Sequence, residues 1–586
     1  MKRLFKQVLA LVMAVAVLSA GSSALACTGV YVGKEASDDG SIIIARSNDC
    51  HPGASLERFE VVDRVENEPG RTYDGDNGFS YPLPDTTYKY TAIPFSTSQQ
   101  YGIDAAGTTN EYGLAVSATV TAYICDAAAE ADPSVADGIG EESIAGLLAA
   151  TCQTAREATE LLCSILDEYG TCEQNIIMIA DQEEAWYIET YTGHQYAAVK
   201  MPEDCVAVFG NEFMIDTVDP DDPDTICSAE LFTLPEEAGF AVYDEDGTMN
   251  IFSTYAGEGR LADYANRRTW IGHELLAPST AGEYDTTTKY PLFYQPDELV
   301  SVKDVMEIFR NRFEGTEYSP DETGRTDIRV IATETQAHVH VIQLFDDLPK
   351  EMSCVTWLTL SNAEFAPFIP ISSLVSGATE AYTKDQDVYA YDEDAAYCVF
   401  KSLNTLCAQD RTVYGAGVRA YWSYVEDQLV EELPSVLEET AALYAQSPEA
   451  AQAYITDYCN DLQTKAVADA SRLYTDVLWY MMNKTDTLQH SFSYSTLIMS
   501  DEENVIAPFV ADFDVALFTE NLGWTATLDG DVMTLVRDGD TITITAGGPG
   551  QFETGSMDVN GETVEADATL SNGSMYLPFD LLTYFE

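Results

Sequence analysis

Cys27 is the residue whose position most directly suggests chemistry. It follows Ala24-Leu25-Ala26, the A-x-A pattern at which an exported chain is cut, so cleavage after Ala26 would make Cys27 the first residue of the mature protein. A first-residue cysteine carries a thiol and a free α-amino group together. The amine has a reference pKa of about 8, close enough to neutrality to act as the base that generates a thiolate. Such a residue can attack an amide carbonyl, form a thioester and release it to water, provided that donors stabilise the tetrahedral oxyanion. Two other readings stay open: an incidental cysteine, or a lipoprotein cysteine acylated on sulfur. Lipoprotein signals favour Leu at −3 and a small residue at −2, whereas those positions here are Ala24 and Leu25.

A nucleophile of this kind needs neighbours. Arg46-Ser47-Asn48-Asp49 ends the second of two apolar runs and is the nearest set of suitable types. Arg46 could pair with a thiolate or bind a substrate carboxylate. Asp49 could accept a hydrogen bond from the α-amine. A surface ion pair at a strand end is the plain alternative. The histidines offer less. His338-Val339-His340 alternates, so both imidazoles face one side of a strand and could form half a metal site, but no third ligand stands at a recognisable spacing. His51 follows Asp49 as a pocket or loop residue, and His194 has no assigned role. Asp38-Asp39 and Asp221-Asp222 read as solvated turns rather than calcium loops. The reading calls for no metal and no cofactor.

The elements that must position these residues are strands first. Thr28–Gly33 and Ser41–Arg46 read as a hairpin turning on Asp38-Asp39-Gly40. Further strands are expected at Leu114–Val120, Asn175–Ala180, Ala185–Glu189, Ala197–Val199 and Cys205–Phe209. Ser143–Tyr169 has helical periodicity, and Pro434–Met482 reads as helical with a break near Ser447-Pro448. From about residue 515 the pattern changes to short strands and Gly turns, a small β-module. The fold class is α+β, with strands and flanking helices in layers.

Composition narrows the function. The 586 residues are 46% hydrophobic, ample for a packed core. Against 98 Asp+Glu stand 29 Lys+Arg, a net charge of −69, which argues against nucleic acid and anionic lipid as partners. Residues 1–26 read as a secretory signal peptide: Lys2, Arg3 and Lys6, then an apolar stretch from Val8 to Leu18, then small residues. No other stretch is apolar enough for a membrane span. Of the 12 cysteines none forms CxxC, and their spacing leaves any disulfide pairing open.

Several segments in order resemble the dipeptidase A family of N-terminal-nucleophile cysteine peptidases, relatives of penicillin V acylase and bile salt hydrolase. They are Cys27-Thr28-Gly29-Val30-Tyr31-Val32-Gly33-Lys34, Asp39-Gly40-Ser41, Ala45-Arg46-Ser47-Asn48-Asp49, Asn110-Glu111-Tyr112-Gly113-Leu114, Asn175–Asp181, Thr192-Gly193-His194-Gln195, Asn211-Glu212-Phe213-Met214-Ile215-Asp216 and Tyr264-Ala265-Asn266-Arg267-Arg268-Thr269-Trp270. The resemblance spans roughly residues 27–500. It implies a four-layer αββα Ntn-hydrolase sandwich with a helical C-terminal extension, and hydrolysis of short peptides. It further implies Cys27 as nucleophile and, through its amine, base. Arg46 and Asp49 match the supporting R-x-x-D, and Asn211 matches the oxyanion-hole Asn. Arg267 matches a late active-site Arg, with Arg268 beside it as the second candidate, and Thr119 lies near a second oxyanion donor. A turn role for Asn211 and an outer-face charge for Arg267 remain the structural alternatives. Residues 515–586 resemble the copper-amine-oxidase-like N-terminal domain of exported proteins, on Gly523-Trp524, Val559-Asn560-Gly561 and Tyr576-Leu577-Pro578-Phe579. That resemblance implies no copper chemistry, and allows cell-surface association or a stabilising role.

The expected organisation is thus a signal peptide over 1–26, an Ntn-hydrolase dipeptidase domain over 27–510 and a small β-rich domain over 515–586. The expected activity is that of a secreted thiol dipeptidase acting on short peptide substrates, with a homo-oligomer left open. An amidase for N-acylated amino acids and a lipidated surface-binding protein are the alternatives.

Overall fold

The hairpin around Asp38-Asp39-Gly40 forms the centre of the molecule. Gly29–Val32 pairs antiparallel with Ile42–Asp49, with Gly29 opposite Arg46 and Val32 opposite Ile43. Asp39 closes the turn: its Oδ1 accepts from Ser41 N at 2.9 Å and from Ser41 Oγ at 2.6 Å. The second strand runs past Arg46 to Asp49 because its far edge is paired along its whole length with Gln336–Leu344. The computed structural model describes residues 27–49, 57–94, 105–120, 122–256, 261–384, 391–490 and most of 512–585. The expected leader, Cys50 and His51 lie outside the described residues.

Two antiparallel sheets are built around this hairpin. The first has six strands in the order Val206–Phe209, Gly29–Val32, Ile42–Asp49, Gln336–Leu344, Cys354–Leu360, Ile369–Ser372. The second has eight, in the order Thr225–Cys227, Tyr196–Lys200, Ala185–Thr190, Asn175–Ala180, Ala115–Val120, Ala105–Asn110, Tyr90–Pro94, Glu60–Val62. Successive side chains leave a strand on opposite faces. Tyr31, Ile42 and Ile44 therefore point inward and meet Ile176, Met178 and Tyr187 of the second sheet in one apolar layer. Val30, Val32, Ile43 and Ala45 point outward, into a cluster shared with Val305, Phe309, Phe400 and Trp422 of helices on that side. On the other side Ile177, Ile179, Trp186 and Ile188 pack against Leu147, Leu148, Leu162 and Leu166 of two helices. The layers read helix, sheet, sheet, helix, which is the expected αββα sandwich.

The helical regions take sharper bounds. The periodicity over Ser143–Tyr169 is carried by two helices, Glu141–Thr151 and Ala155–Tyr169. The break is chemical: Thr154 caps the second helix through Glu157 N, and Asp181 Oδ2 takes Ala155 N at 2.7 Å. The helical extension begins well before Pro434, which lies inside Ala416–Tyr444. The break at Ser447-Pro448 stands: Ser447 Oγ accepts from Ala450 N at 3.2 Å, and Pro448 opens the long helix Pro448–His490. The C-terminal sheet domain has a five-stranded antiparallel sheet over Thr525–Glu565 and a three-stranded one joining Asp512–Asp514, Ser574–Pro578 and Thr569–Ser571.

One buried carboxylate fastens the helical extension to the sandwich. Glu426, within Ala416–Tyr444, takes Arg310 Nη2 at 2.6 Å and Phe368 N at 2.9 Å on Oε1. Its Oε2 takes Arg310 Nη1 at 2.8 Å and Lys303 Nζ at 3.3 Å. Neither Glu426 nor Arg310 is reached by solvent. Removing one partner would leave an uncompensated buried charge. Glu426→Ala is expected to lower the unfolding free energy by about 3–5 kcal/mol in urea denaturation, and a loss below about 1 kcal/mol would contradict this account.

Candidate active site

Cys27 sits at the head of the central hairpin. Thr28 N donates to Ser47 Oγ at 3.0 Å and Ser47 N to Thr28 O at 3.0 Å, so the ladder continues one step beyond Gly29 and sets Cys27 beside Asn48. The thiol is buried. Arg46 Nη2 stands 3.4 Å from Cys27 Sγ, and Asn48 Oδ1 stands 3.9 Å from it. Arg46 points inward like Ile44, two residues before it, and crosses the gap between the sheets. Its Nη1 donates to Ala106 O at 3.0 Å, and Nη2 also meets Asn48 Oδ1 at 3.1 Å and Glu141 Oε1 at 2.6 Å. Burial pushes the Glu141 carboxyl up to about 8, with Arg46 pulling the other way.

Asn48 starts a buried polar chain. Its Nδ2 donates to Glu57 Oε1 at 2.9 Å. Glu57 Oε2 is 3.4 Å from His338 Nδ1, His338 Nε2 is 3.1 Å from His340 Nδ1, and His340 Nε2 is 2.9 Å from Ser117 Oγ on the other sheet. The two histidines thus meet each other, a carboxylate and a hydroxyl. Burial, then His338 and Arg46, push the His340 imidazole well below its usual range, so it is neutral at ordinary pH. Glu57 Oε1 takes the donor end of the Asn48 amide, which leaves Oδ1 turned toward Arg46 and Cys27.

Arg268 closes the site from the helix Asp263–Leu276. Its Nη1 donates to Cys27 O at 2.7 Å and Thr28 Oγ1 at 3.0 Å, and its Nη2 to Asn211 Oδ1 at 3.1 Å. Arg267, next along the same helix, is turned elsewhere: it pairs with Asp263 and lies over the rings of Tyr284 and Tyr318, at 5.1 and 4.7 Å. The structure therefore brings Cys27, Arg46, Asn211 and Arg268 together and leaves Arg267 outside. A helix turns by about 100° per residue, so two adjacent arginines cannot face the same group. Asp49 is buried and pairs through Oδ2 with Arg329 Nη2 at 2.9 Å, while its Oδ1 has no hydrogen-bond partner among the described residues. Burial raises the Asp49 carboxyl, with Arg329 and Arg268 opposing. Thr119 pairs by its backbone with Ile176 in the second sheet, and its side chain lies outside the description.

Glu57, Glu141 and Arg329 were not singled out by sequence reasoning. Glu141 opens a helix after Gly140, and Glu57 and Arg329 stand in loops, so no period or spacing ties them to Cys27. Asn48 lay inside the R-x-x-D segment and could have been found there.

Glu189 holds the loop that carries Asn211. Its Oε1 accepts from Tyr187 Oη at 2.9 Å, Met214 N at 2.5 Å and Ile215 N at 3.3 Å, and its Oε2 from Tyr191 Oη at 2.9 Å. Burial still pushes this carboxyl up to about 7, from an ordinary 4.5. The folded chain keeps the proton in a range where the unfolded chain has lost it. The group's contribution is complete below about pH 4.5, falls as pH rises and is gone above about pH 7. Glu189→Gln is expected to flatten the fall of Tm across that interval. An unchanged slope in the variant would contradict the assignment.

Comparison with known proteins places the chain. Residues 26–424 match the model described as "Peptidase family C69". "Probable dipeptidase B" of Streptococcus pyogenes serotype M1 is 32% identical over 447 residues, covering 74% of this chain and 88% of that one. "Probable dipeptidase B" of Lactococcus lactis subsp. lactis is 31% identical over 62% of this chain and 77% of its own, and "Probable dipeptidase" of Latilactobacillus sakei is 28% identical over 61% and 76%. Among solved structures, a mutant conjugated bile acid hydrolase from Clostridium perfringens aligns at 10% identity and a TM-score of 0.29, over 59% of this chain and 92% of that one, too distant a likeness to build on. With the family model covering most of the sandwich around Cys27, the chain belongs to peptidase family C69 and is a peptidase.

Proposed function

We propose that the mature chain begins at Cys27 and that it is an exported dipeptidase whose nucleophile is the Cys27 thiol. The observation that carries this reading is the clamp on that residue: Arg46 Nη2 lies 3.4 Å from the sulfur, and Arg268 Nη1 lies 2.7 Å from the carbonyl oxygen. In the proposed cycle the α-amine takes the thiol proton and the thiolate, paired with Arg46, attacks the peptide carbonyl. Asn211, its acceptor end held by Arg268, donates Nδ2 to the oxyanion, and Thr119 is the candidate region for a second donor. The protonated amine returns its proton to the leaving amine, and a thioester forms on sulfur. Water, activated by the amine, then releases the acid. Asp49 Oδ1, which has no hydrogen-bond partner among the described residues, is the acceptor assigned to the amine. An acyl anchor on Cys27 is disfavoured, since a thioether lipid would have to displace Arg46 and Asn48. We assign residues 515–586 an accessory role at the cell surface.

This reading requires a free amine. A chain produced to start at Cys27 is expected to hydrolyse L-Ala-L-Ala, and a chain with Met-Ala retained before Cys27 is expected to lose at least about 100-fold in kcat/KM. Intact mass of the exported protein checks the start point: a lipid-sized increment on Cys27 would overturn the reading. The two arginines are expected to separate sharply. Arg268→Ala should cost about 100-fold or more in kcat, because it releases both Cys27 and Asn211. Arg267→Ala should stay within about 5-fold in kcat, changing mainly thermal stability. Equal losses would show that the clamp is not specific to Arg268.

A further inference from the structure

Glu212 follows Asn211 directly and is buried, yet it is poorly satisfied. Its Oε2 accepts from Ala262 N at 3.2 Å, and its Oε1 has no hydrogen-bond partner among the described residues. A buried carboxylate oxygen without a donor is costly, and native structures rarely keep one without use. A second orphan lies within electrostatic reach of the first. Tyr264 lies beneath the Arg268 guanidinium, 5.9 Å from its ring centre, and within electrostatic reach of Glu212 and of exposed Tyr123. Its Oη is buried and likewise has no partner among the described residues.

Glu212 Oε1 accepts when ionised, and the Tyr264 hydroxyl can accept as well as donate, so a cationic N–H donor beside the Arg268 clamp would satisfy both. Burial pushes the Glu212 carboxyl up to about 7, with Arg268 and Lys289 pulling it down. Lys289 is engaged with Met214 O and Asp216, both at 2.9 Å, and does not supply the missing contact. An arriving cation would favour the ionised form.

The chain order adds a geometric constraint. Consecutive Cα atoms are about 3.8 Å apart. Asn211 and Glu212 are adjacent in the chain, and both interact with the Arg268 guanidinium, Asn211 by a hydrogen bond at 3.1 Å and Glu212 electrostatically. In a peptide with a free N-terminus the charged nitrogen is borne by the carbon next to the first carbonyl. We propose that Glu212 and Tyr264 form the receptor for the substrate's α-ammonium, which makes the enzyme selective for peptides with an unblocked N-terminus cleaved after their first residue. This inference rests on the dipeptidase reading and adds the group that measures the substrate. An ammonium has three N–H donors, enough for Glu212 Oε1, Tyr264 Oη and a water. An N-acyl amino acid would bring a methylene to the same place and leave Oε1 buried and unpaired.

The test compares L-Ala-L-Ala with propionyl-L-Ala, its des-amino analogue. The wild-type enzyme is expected to favour the dipeptide by about 100-fold in kcat/KM. Glu212→Gln should lower kcat/KM for the dipeptide by about 30-fold, mostly through KM, and leave propionyl-L-Ala within a few-fold. Glu212→Asp should recover part of the loss. A wild-type enzyme that prefers the dipeptide while Glu212→Gln keeps the full preference overturns this inference and leaves the dipeptidase reading intact. A wild-type enzyme that cleaves propionyl-L-Ala equally well overturns both. Should Glu212→Gln fail to fold by circular dichroism, Tyr264→Phe decides: a loss of about 5-fold confined to the dipeptide supports the receptor, and an equal effect on both substrates overturns it.

Discussion

The site depends on one guanidinium. Arg268 binds Cys27 O, Thr28 Oγ1, Asn211 Oδ1 and Tyr264 O, and so joins the head of the first strand, the loop after Val206–Phe209 and its own helix. A planar fork with fixed donor directions admits few arrangements of its acceptors. Burial and neighbouring Arg329 pull this group down to about 10, with Asp49 opposing, so it remains charged at neutral pH. Close packing delivers it. A Cβ on Gly210 would stand 2.8 Å from Arg268 Nη2, and one on Gly272 would stand 2.3 Å from Val208 Cβ. Glycine at both positions lets the helix lie directly on the strand, within reach of Cys27.

Carboxylates do much of the internal fastening. Glu57 orients Asn48, Glu141 engages Arg46, Glu189 gathers the Asn211 loop and Glu426 ties the helical extension to Arg310. Each is buried, and all but Glu57 draw donors from elements distant in sequence. The acid surplus of the composition therefore conceals two populations. Most carboxylates are solvated, while a few act as directional anchors that a net charge of −69 does not reveal.

In the first sheet the hairpin strands and Val206–Phe209 were legible as short apolar runs with clear turns, whereas Cys354–Leu360 and Ile369–Ser372 were not read from the sequence. Asp38-Asp39-Gly40 set the hairpin, and the hairpin set Arg46 beside Cys27 without any long-range information. Local patterning failed where side chains from elsewhere decide. The periodicity through 143–169 has no visible gap, yet Thr154 and Asp181 split it. Pro434 looked like a helix start, but apolar residues on both sides of it, Tyr421, Trp422 and Val436, are held in the core and carry the helix through. The same limit governs the site. Cys27, Arg46 and Asn211 announce themselves in motifs. The choice between Arg267 and Arg268 is a matter of helical phase, which adjacent identical residues cannot display in sequence.

Two of the contacts already described cross the gap between the sheets: Arg46 to Ala106 O, and His340 to Ser117. Apolar layers adhere without preferring one lateral offset, since the hydrophobic effect is non-directional. A hydrogen bond weakens steeply when its angle fails. These polar bridges therefore act as dowels through two otherwise slippery plates. The plate that carries the Cys27 sulfur is indexed against the plate that faces it, and small shear displacements, which greasy packing alone would tolerate, are resisted beside that residue.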